Sequence, residues 1–195
     1  MSRPFPPANL ESRQPALLTL PGGTILHRFY TAAFDPIYFD RSTAGRLNAP
    51  DASFGTLYAA KTTKGAFAET FLRRPGLNLI DAKILVAKAY VKIRVTAPLS
   101  LIELTGPGLA ILGATAEVTH GGLPYDLPQH WSKALHAHPC QADGIAYRSR
   151  HDDNELCYAV FDRASASIAV RNTIKDLDQN WFWKLMDQYS VGLAP

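Results

Sequence analysis

Two cysteines, no long apolar run and no dense block of one charge remove several classes of protein at the outset. Cys140 and Cys157 fall outside any CxxC spacing, so a disulfide framework is not expected, and Cys157 lies in an apolar run that reads as a buried strand with a reduced thiol. No segment reaches the roughly 18 consecutive apolar residues of a membrane span, and the N-terminus lacks an apolar signal core. A cytoplasmic location with no membrane partner is the expectation. His136 and His138 are two residues apart, which puts them on different faces of a helix, and no Cys or His pair follows at zinc spacing. They read as surface or helix-end histidines, and no metal is expected. The net charge is +3 and the basic residues are scattered, with Arg73-Arg74 the densest pair. A nucleic-acid stripe is denser, so direct nucleic-acid binding is not expected.

Familiar nucleotide and hydrolase motifs are missing too. Gly106-Pro107-Gly108 lacks the third glycine of a dinucleotide fingerprint, and no GxxxxGK[ST] occurs. Ser149 is flanked by Arg148 and Arg150 rather than by the glycines of a nucleophile elbow.

What is present suits one globular domain: 195 residues, 47% hydrophobic and 19% charged. Pro4, Pro6, Pro7, Pro15 and Pro21 exclude a continuous helix or central strand from residues 1–23. That stretch reads as an arm over the domain, and residues 24–195 as the domain itself. Short strands are expected at Ile25–Tyr30, Thr56–Ala60, Leu99–Leu104, Asp143–Ser149, Leu156–Phe161 and Ile168–Val170, and a long one at Lys83–Val95. Ala44–Pro50 reads as loop. Thr62-Thr63 can cap a helix over Lys64–Arg73 that Pro75-Gly76 stops, and this helix presents Glu69. A second helix spans Leu127–His138, packed by Trp131 and Leu135. A third lies near Trp181–Tyr189, whose aromatic stripe reads as core more readily than as an interface. Strands in clusters rather than strict alternation with helices favour α+β over a doubly wound sheet.

Three segments together are specific: Leu26-His27-Arg28-Phe29-Tyr30; then Gly45-Arg46-Leu47-Asn48 running on to Gly55–Ala60 and Ala66-Phe67-Ala68-Glu69-Thr70; and Asp143–Arg150. In order and joint presence they resemble the RES domain, a bacterial family named for an arginine, a glutamate and a serine, over roughly Leu26 to Arg163. The resemblance implies an ADP-ribosyltransferase-like fold with small mixed or antiparallel sheets and flanking helices. It also implies an NAD-consuming activity, with NAD as substrate, and a role as a toxin beside an Xre-like antitoxin.

The residues themselves make chemical sense for NAD. Arginine's planar fork suits the pyrophosphate, with Arg28 and Arg46 as candidates and a structural ion pair as the alternative for each. Gly45 before Arg46 is expected to let the backbone approach a ligand. Tyr58 is expected to stack on the nicotinamide, although core is the commoner role of a tyrosine in a short strand. Nicotinamide leaves as a neutral pyridine and needs no general acid, so a single carboxylate can suffice where glycosidases use two. Glu69 is that carboxylate, stabilising the oxocarbenium-like centre by charge, and Gly65 one turn earlier is expected to leave ligand room. A helix pair with Arg73 is its bland alternative. Ser149 is assigned a positioning role toward the ribose or Glu69. His27, Tyr30, Asn48 and Lys61 are further cleft candidates for which a structural role is at least as good a reading.

The expected catalytic set is therefore Glu69, Arg28, Tyr58 and Ser149, and the NAD-binding set Arg28, Arg46, Tyr58 and Ser149. Direct breakdown of NAD by water or phosphate is favoured over transfer of ADP-ribose to a protein acceptor. A non-catalytic nucleotide-binding module is an alternative of another class, which the intact set of four residues opposes. An RNA-cutting toxin is a third alternative, weakened by the scattered charge.

Overall fold

The computed structural model describes residues 5–73, 76 and 78–194. The strands are β1 (Leu17–Leu20), β2 (Ile25–Thr31), β3 (Thr56–Ala60), β4 (Leu79–Asp81), β5 (Lys88–Val95), β6 (Leu99–Leu104), β7 (Gly144–Arg148), β8 (Leu156–Phe161), β9 (Ile168–Ile174) and β10 (Gly192–Ala194). The helices are α1 (Thr63–Phe71), α2 (Ala82–Val86), α3 (Pro107–Leu112), α4 (Glu117–His120), α5 (Asp126–His136) and α6 (Asn180–Gln188). Eight strands form one mixed sheet in the order β1-β6-β7-β8-β3-β2-β5-β9, parallel only between β6 and β7. β4 and β10 make a separate parallel pair. This is the α+β arrangement expected.

The sheet is unevenly stitched. β3 pairs with β8 from Thr56↔Phe161 to Ala60↔Cys157, five registers in a row. Its other neighbour, β2, meets it at a single pair, His27↔Ala60. β2 then ladders fully onto β5, with seven registers from Ile25↔Arg94 to Thr31↔Lys88. A seam thus separates five strands from three, and it places Arg28 and Tyr58 on opposite sides of a gap in the backbone ladder.

α1 packs beside β2, β3 and β8 and so spans that seam. It starts as expected: the Thr62 hydroxyl accepts the Gly65 amide at 3.1 Å, satisfying one of the free N-terminal donors. Its expected stop signal lies partly outside the described residues, since Pro75 does. Phe67 on α1 is fully buried against Phe29, Phe182 and Tyr189. The aromatic stripe of α6 is core: Phe182 is fully buried, and Trp181 stacks on Phe29.

Three local readings differ. Residues 83–95 are not one strand. Asp81 caps a short helix by accepting the Lys83 amide at 2.7 Å, so the chain turns through Ala82–Val86 before β5 begins. Within the proline-rich stretch, Leu17–Leu20 runs as the edge strand β1 against β6. Pro15 and Pro21 flank that strand without interrupting it, and an edge needs donors on one side only. His138 is buried rather than superficial, and its Nδ1 accepts the Cys140 amide at 3.2 Å.

Candidate active site

At the seam a side chain does what the ladder does not. Arg28 Nη1 donates to the main-chain carbonyl of Tyr58 at 2.7 Å, so the guanidinium takes the place of a missing backbone donor. Burial depresses the Arg28 pKa to about 10, with Asp40 acting in the opposite sense. Arg28 Nε is buried without a hydrogen-bond partner among the described residues. A buried, unpaired charged N–H is costly unless something else satisfies it.

The Tyr58 hydroxyl accepts the Leu47 amide at 2.7 Å and donates to Asn48 Oδ1 at 2.9 Å. Burial pushes its pKa well up, so it stays a neutral phenol. Asn48, fully buried, donates through Nδ2 to Asp40 Oδ2 at 2.9 Å and to the Ser42 carbonyl at 2.7 Å. Burial works to raise the Asp40 pKa, but hydrogen bonds from Ser42 and Asn48 and the charge of Arg28 outweigh it and hold the group ionised. Asp40 is thus the counter-charge that faces Arg28 across the seam.

This network corrects the reading of Gly45. A Cβ there would lie 2.3 Å from Asn48 Oδ1, so the close approach that demands glycine is by the Asn48 amide, not by a ligand. The loop is anchored again where Gln129 Nε2 donates to the Gly45 carbonyl at 3.0 Å. Arg46 follows, its Nη1 bonded to the Thr119 carbonyl and its Nε buried without a partner among the described residues. Neither Arg28 nor Arg46 makes a side-chain ion pair among the described residues.

Glu69 and Ser149, eighty positions apart, meet: Ser149 Oγ donates to Glu69 Oε1 at 2.6 Å, and Ser149 is fully buried. The hydroxyl in turn accepts the His151 amide at 3.2 Å. Arg73 donates to the main-chain carbonyl of Glu69 at 2.7 Å, so the bland helix ion pair is not formed. Gly65 is also corrected. A Cβ there would meet Glu155 Oε2 at 3.0 Å and Ala60 Cβ at 3.1 Å, so its space belongs to the protein.

These groups share one electrostatic neighbourhood. Burial pushes Tyr147 and Cys157 up, and each also feels the charges of Glu69 and Arg46. His151 is pulled down by burial, with Glu69 opposing and Arg150, Arg46 and Arg73 reinforcing. Arg28, Tyr58, Arg46, Glu69 and Ser149 are therefore brought together. Of the subsidiary candidates, Asn48 braces Tyr58, while Tyr30 is buried in a second apolar cluster and Lys61 is exposed. His27 Nδ1 bonds Tyr90 Oη at 2.5 Å and Thr63 Oγ1 at 3.1 Å, fastening the start of α1 to β2 and β5. Sequence reasoning missed Asp40, His151 and Glu155. The Asp40-x-Ser42 turn, in which the Ser42 amide donates to Asp40 Oδ1 at 2.9 Å, was the one local signal available.

Among the described residues no group of His, Cys, Asp and Glu is arranged to hold a metal, and no helix is long and apolar enough to cross a membrane.

The fold is similar to the M. tuberculosis MbcT-MbcA toxin-antitoxin complex in its crystal structure. The TM-score is 0.69 at 18% identity, over 87% of this chain and 92% of that one. That likeness is consistent with an ADP-ribosyltransferase-like fold. In sequence, the chain is 27% identical over 103 residues to the probable toxin y4kH of Sinorhizobium fredii (strain NBRC 101917 / NGR234), spanning 52% of this chain and 80% of the relative. The family model of the RES domain matches residues 24–183, which takes in the seam, α1 and the Ser149 turn, and the chain belongs to the RES domain family.

Proposed function

We propose that the chain is the toxin of a toxin-antitoxin pair and cleaves the nicotinamide N-glycosidic bond of NAD. The observation that carries the reading is the Glu69–Ser149 bond together with two buried guanidinium N–H groups, Nε of Arg28 and of Arg46, that lack partners among the described residues. A pyrophosphate supplies acceptors for such donors, and arginine's fork is suited to it. With Ser149 engaging Oε1, the second carboxylate oxygen of Glu69 is left for a ribose hydroxyl. As the C1′–N bond breaks, its electron pair leaves with the pyridine and positive charge grows on C1′. A carboxylate held nearby stabilises that charge. Water or phosphate then attacks C1′ through oxygen, and water sheds its proton to the medium. In this reading the ring of Tyr58 stacks on the nicotinamide, and its hydroxyl, engaged by Leu47 and Asn48, transfers no proton.

The toxin-antitoxin relatives and the family membership support a separate protein partner, for which an Xre-like antitoxin is the reading. The test of activity is to incubate the purified chain with labelled NAD in buffer, in phosphate and in cell extract. Nicotinamide release in buffer or phosphate is expected. Label moving to one protein band, with negligible turnover elsewhere, makes the chain a protein ADP-ribosyltransferase. No release under any condition leaves a non-catalytic binding module.

A further inference from the structure

Glu155 is a buried carboxylate, 9% exposed, for which the reaction above has no use. Its side chain accepts a hydrogen bond from Thr62 Oγ1, the cap of α1, and that same hydroxyl accepts the Gly65 amide at 3.1 Å. Its main-chain carbonyl accepts the Ser149 amide at 3.0 Å. One residue therefore grips the helix that carries Glu69 and the turn that carries Ser149. Gly65 is the third part of the device, since any Cβ there would press on Glu155 Oε2 at 3.0 Å and Glu155 Cβ at 3.2 Å. The grip continues the β3–β8 ladder, in which the Lys61 amide donates to the Leu156 carbonyl at 2.9 Å.

We infer that Glu155 is a positioning residue that sets the alignment of Glu69 with Ser149 by locking the capped end of α1 to the Ser149–Glu155 turn. Glu69 lies seven residues beyond Thr62, about 10 Å along the helix axis. A tilt of only about 6° at the cap displaces its carboxylate by about 1 Å, and a misplacement of that size can lower turnover about 100-fold. A separate brace keeps the fold together when the lock is opened. Tyr189 stacks on Phe67 of α1 with ring centroids 5.5 Å apart, and its hydroxyl donates to Asp152 Oδ2 at 2.7 Å.

The inference rests on the NAD-cleaving reading, and its test separates the two. In Glu155→Ala, kcat for nicotinamide release is expected to fall about 10- to 100-fold while KM for NAD moves less than about threefold. Glu155→Gln keeps an acceptor for Thr62 and is expected to retain kcat within about threefold. Thr62→Ala, which also removes the acceptor of the Gly65 amide, should lower kcat at least as much as Glu155→Ala, and the double variant should be no worse than Thr62→Ala, because both open the same lock. Unchanged kcat in folded Glu155→Ala, a loss confined to KM, no recovery in Glu155→Gln, or losses that add would each overturn the assignment.

Amide hydrogen exchange supplies a readout that needs no activity. Glu155→Ala should speed exchange at Gly65 and along α1, and leave β2, β5, β9 and Ser149, whose acceptor is the residue-155 main-chain carbonyl, as in the wild type. If the wild-type chain releases no nicotinamide, the activity reading fails while this exchange pattern still decides the lock. Unaltered exchange at Gly65 and along α1 removes it.

Discussion

The two flanks of β3 show how this chain divides labour between backbone and side chains. On the β8 flank, five consecutive registers pair main chain to main chain, and Val160, Ala159 and Cys157 are fully buried. On the other flank β2 itself meets β3 at one pair, His27↔Ala60, and the Asp40 main chain pairs with Thr56 at the far end of the strand. There the polar side chains take over: Arg28 reaches the Tyr58 carbonyl, and His27 reaches Thr63 and Tyr90. A continuous ladder consumes its donors and acceptors internally. An interrupted one leaves them to be met by side chains that can face a ligand too. The candidates Arg28 and Tyr58 therefore meet at the seam, and α1 packs across it.

The largest effect is expected at the carboxylate that α1 brings to Ser149. Glu69→Gln keeps shape and an acceptor for Ser149 Oγ but loses the charge. Turnover is expected to drop about 100- to 1,000-fold, or roughly 3–4 kcal/mol, with KM for NAD nearly unchanged. Steady-state nicotinamide release in a variant whose melting curve matches wild type checks this, and wild-type turnover would remove Glu69 from the chemistry.

Next in size is Arg28→Lys. An ammonium can reach either the Tyr58 carbonyl or an anion, but not both in fixed planar geometry. NAD binding is expected to weaken about 10- to 100-fold, or roughly 1.4–2.8 kcal/mol, measured by titration calorimetry on the slow Glu69→Gln background. Equal affinity with and without the substitution would show that the guanidinium serves the seam alone.

The same contrast explains what could be read in advance. Elements on the well-laddered flank announce themselves locally. Thr56–Ala60 and Leu156–Phe161 are apolar runs of strand length, and α1 carries its own threonine cap. The seam has no local signature, because the absence of pairing between β2 and β3 depends on a partner strand thirty residues away. Residues 83–95 misled for a related reason: alternation was visible, but the Asp81 cap that starts a helix there was not weighed. Of the candidate site, Arg28, Arg46, Tyr58, Glu69 and Ser149 were legible from the family pattern. Asp40, Glu155 and His151 act through contacts made by folding, and no short spacing reveals those. Gly45 and Gly65 read as room for a ligand, and that the space at each belongs instead to Asn48 and Glu155 is a tertiary fact.

Tyr58→Phe is a smaller perturbation. It removes the phenolic oxygen that receives the Leu47 amide and bonds Asn48, while the ring remains. Stability should fall by about 1–2 kcal/mol, read as a lower urea midpoint at unchanged m-value. Turnover should change less than about fivefold if stacking is the ring's role. A variant as stable as wild type would mean that the Arg46–Asn48 loop is held without Tyr58.

The smallest expected effect tests the backbone pair that joins β2 to β3. His27 sits at that pair, half-buried, and burial, reinforced by the charge of Lys92, lowers its pKa from 6.5 to about 4. The folded ring thus holds a proton less tightly than the unfolded one, so protonation favours unfolding. The stabilisation is fully present above about pH 6.5 and is lost as pH falls toward about 4. Because the ring is partly exposed, solvent screening limits the effect to the order of 1 kcal/mol. Carboxylates elsewhere begin to titrate at the lower end of this window, so the informative quantity is a difference between proteins. Urea unfolding at pH 7 and pH 5 should show a larger loss for wild type than for His27→Gln, which has no ring to protonate. A loss of equal size in both would place the acid sensitivity outside the seam, and the His27, Thr63 and Tyr90 cluster would then be a pH-indifferent fastening for the start of α1.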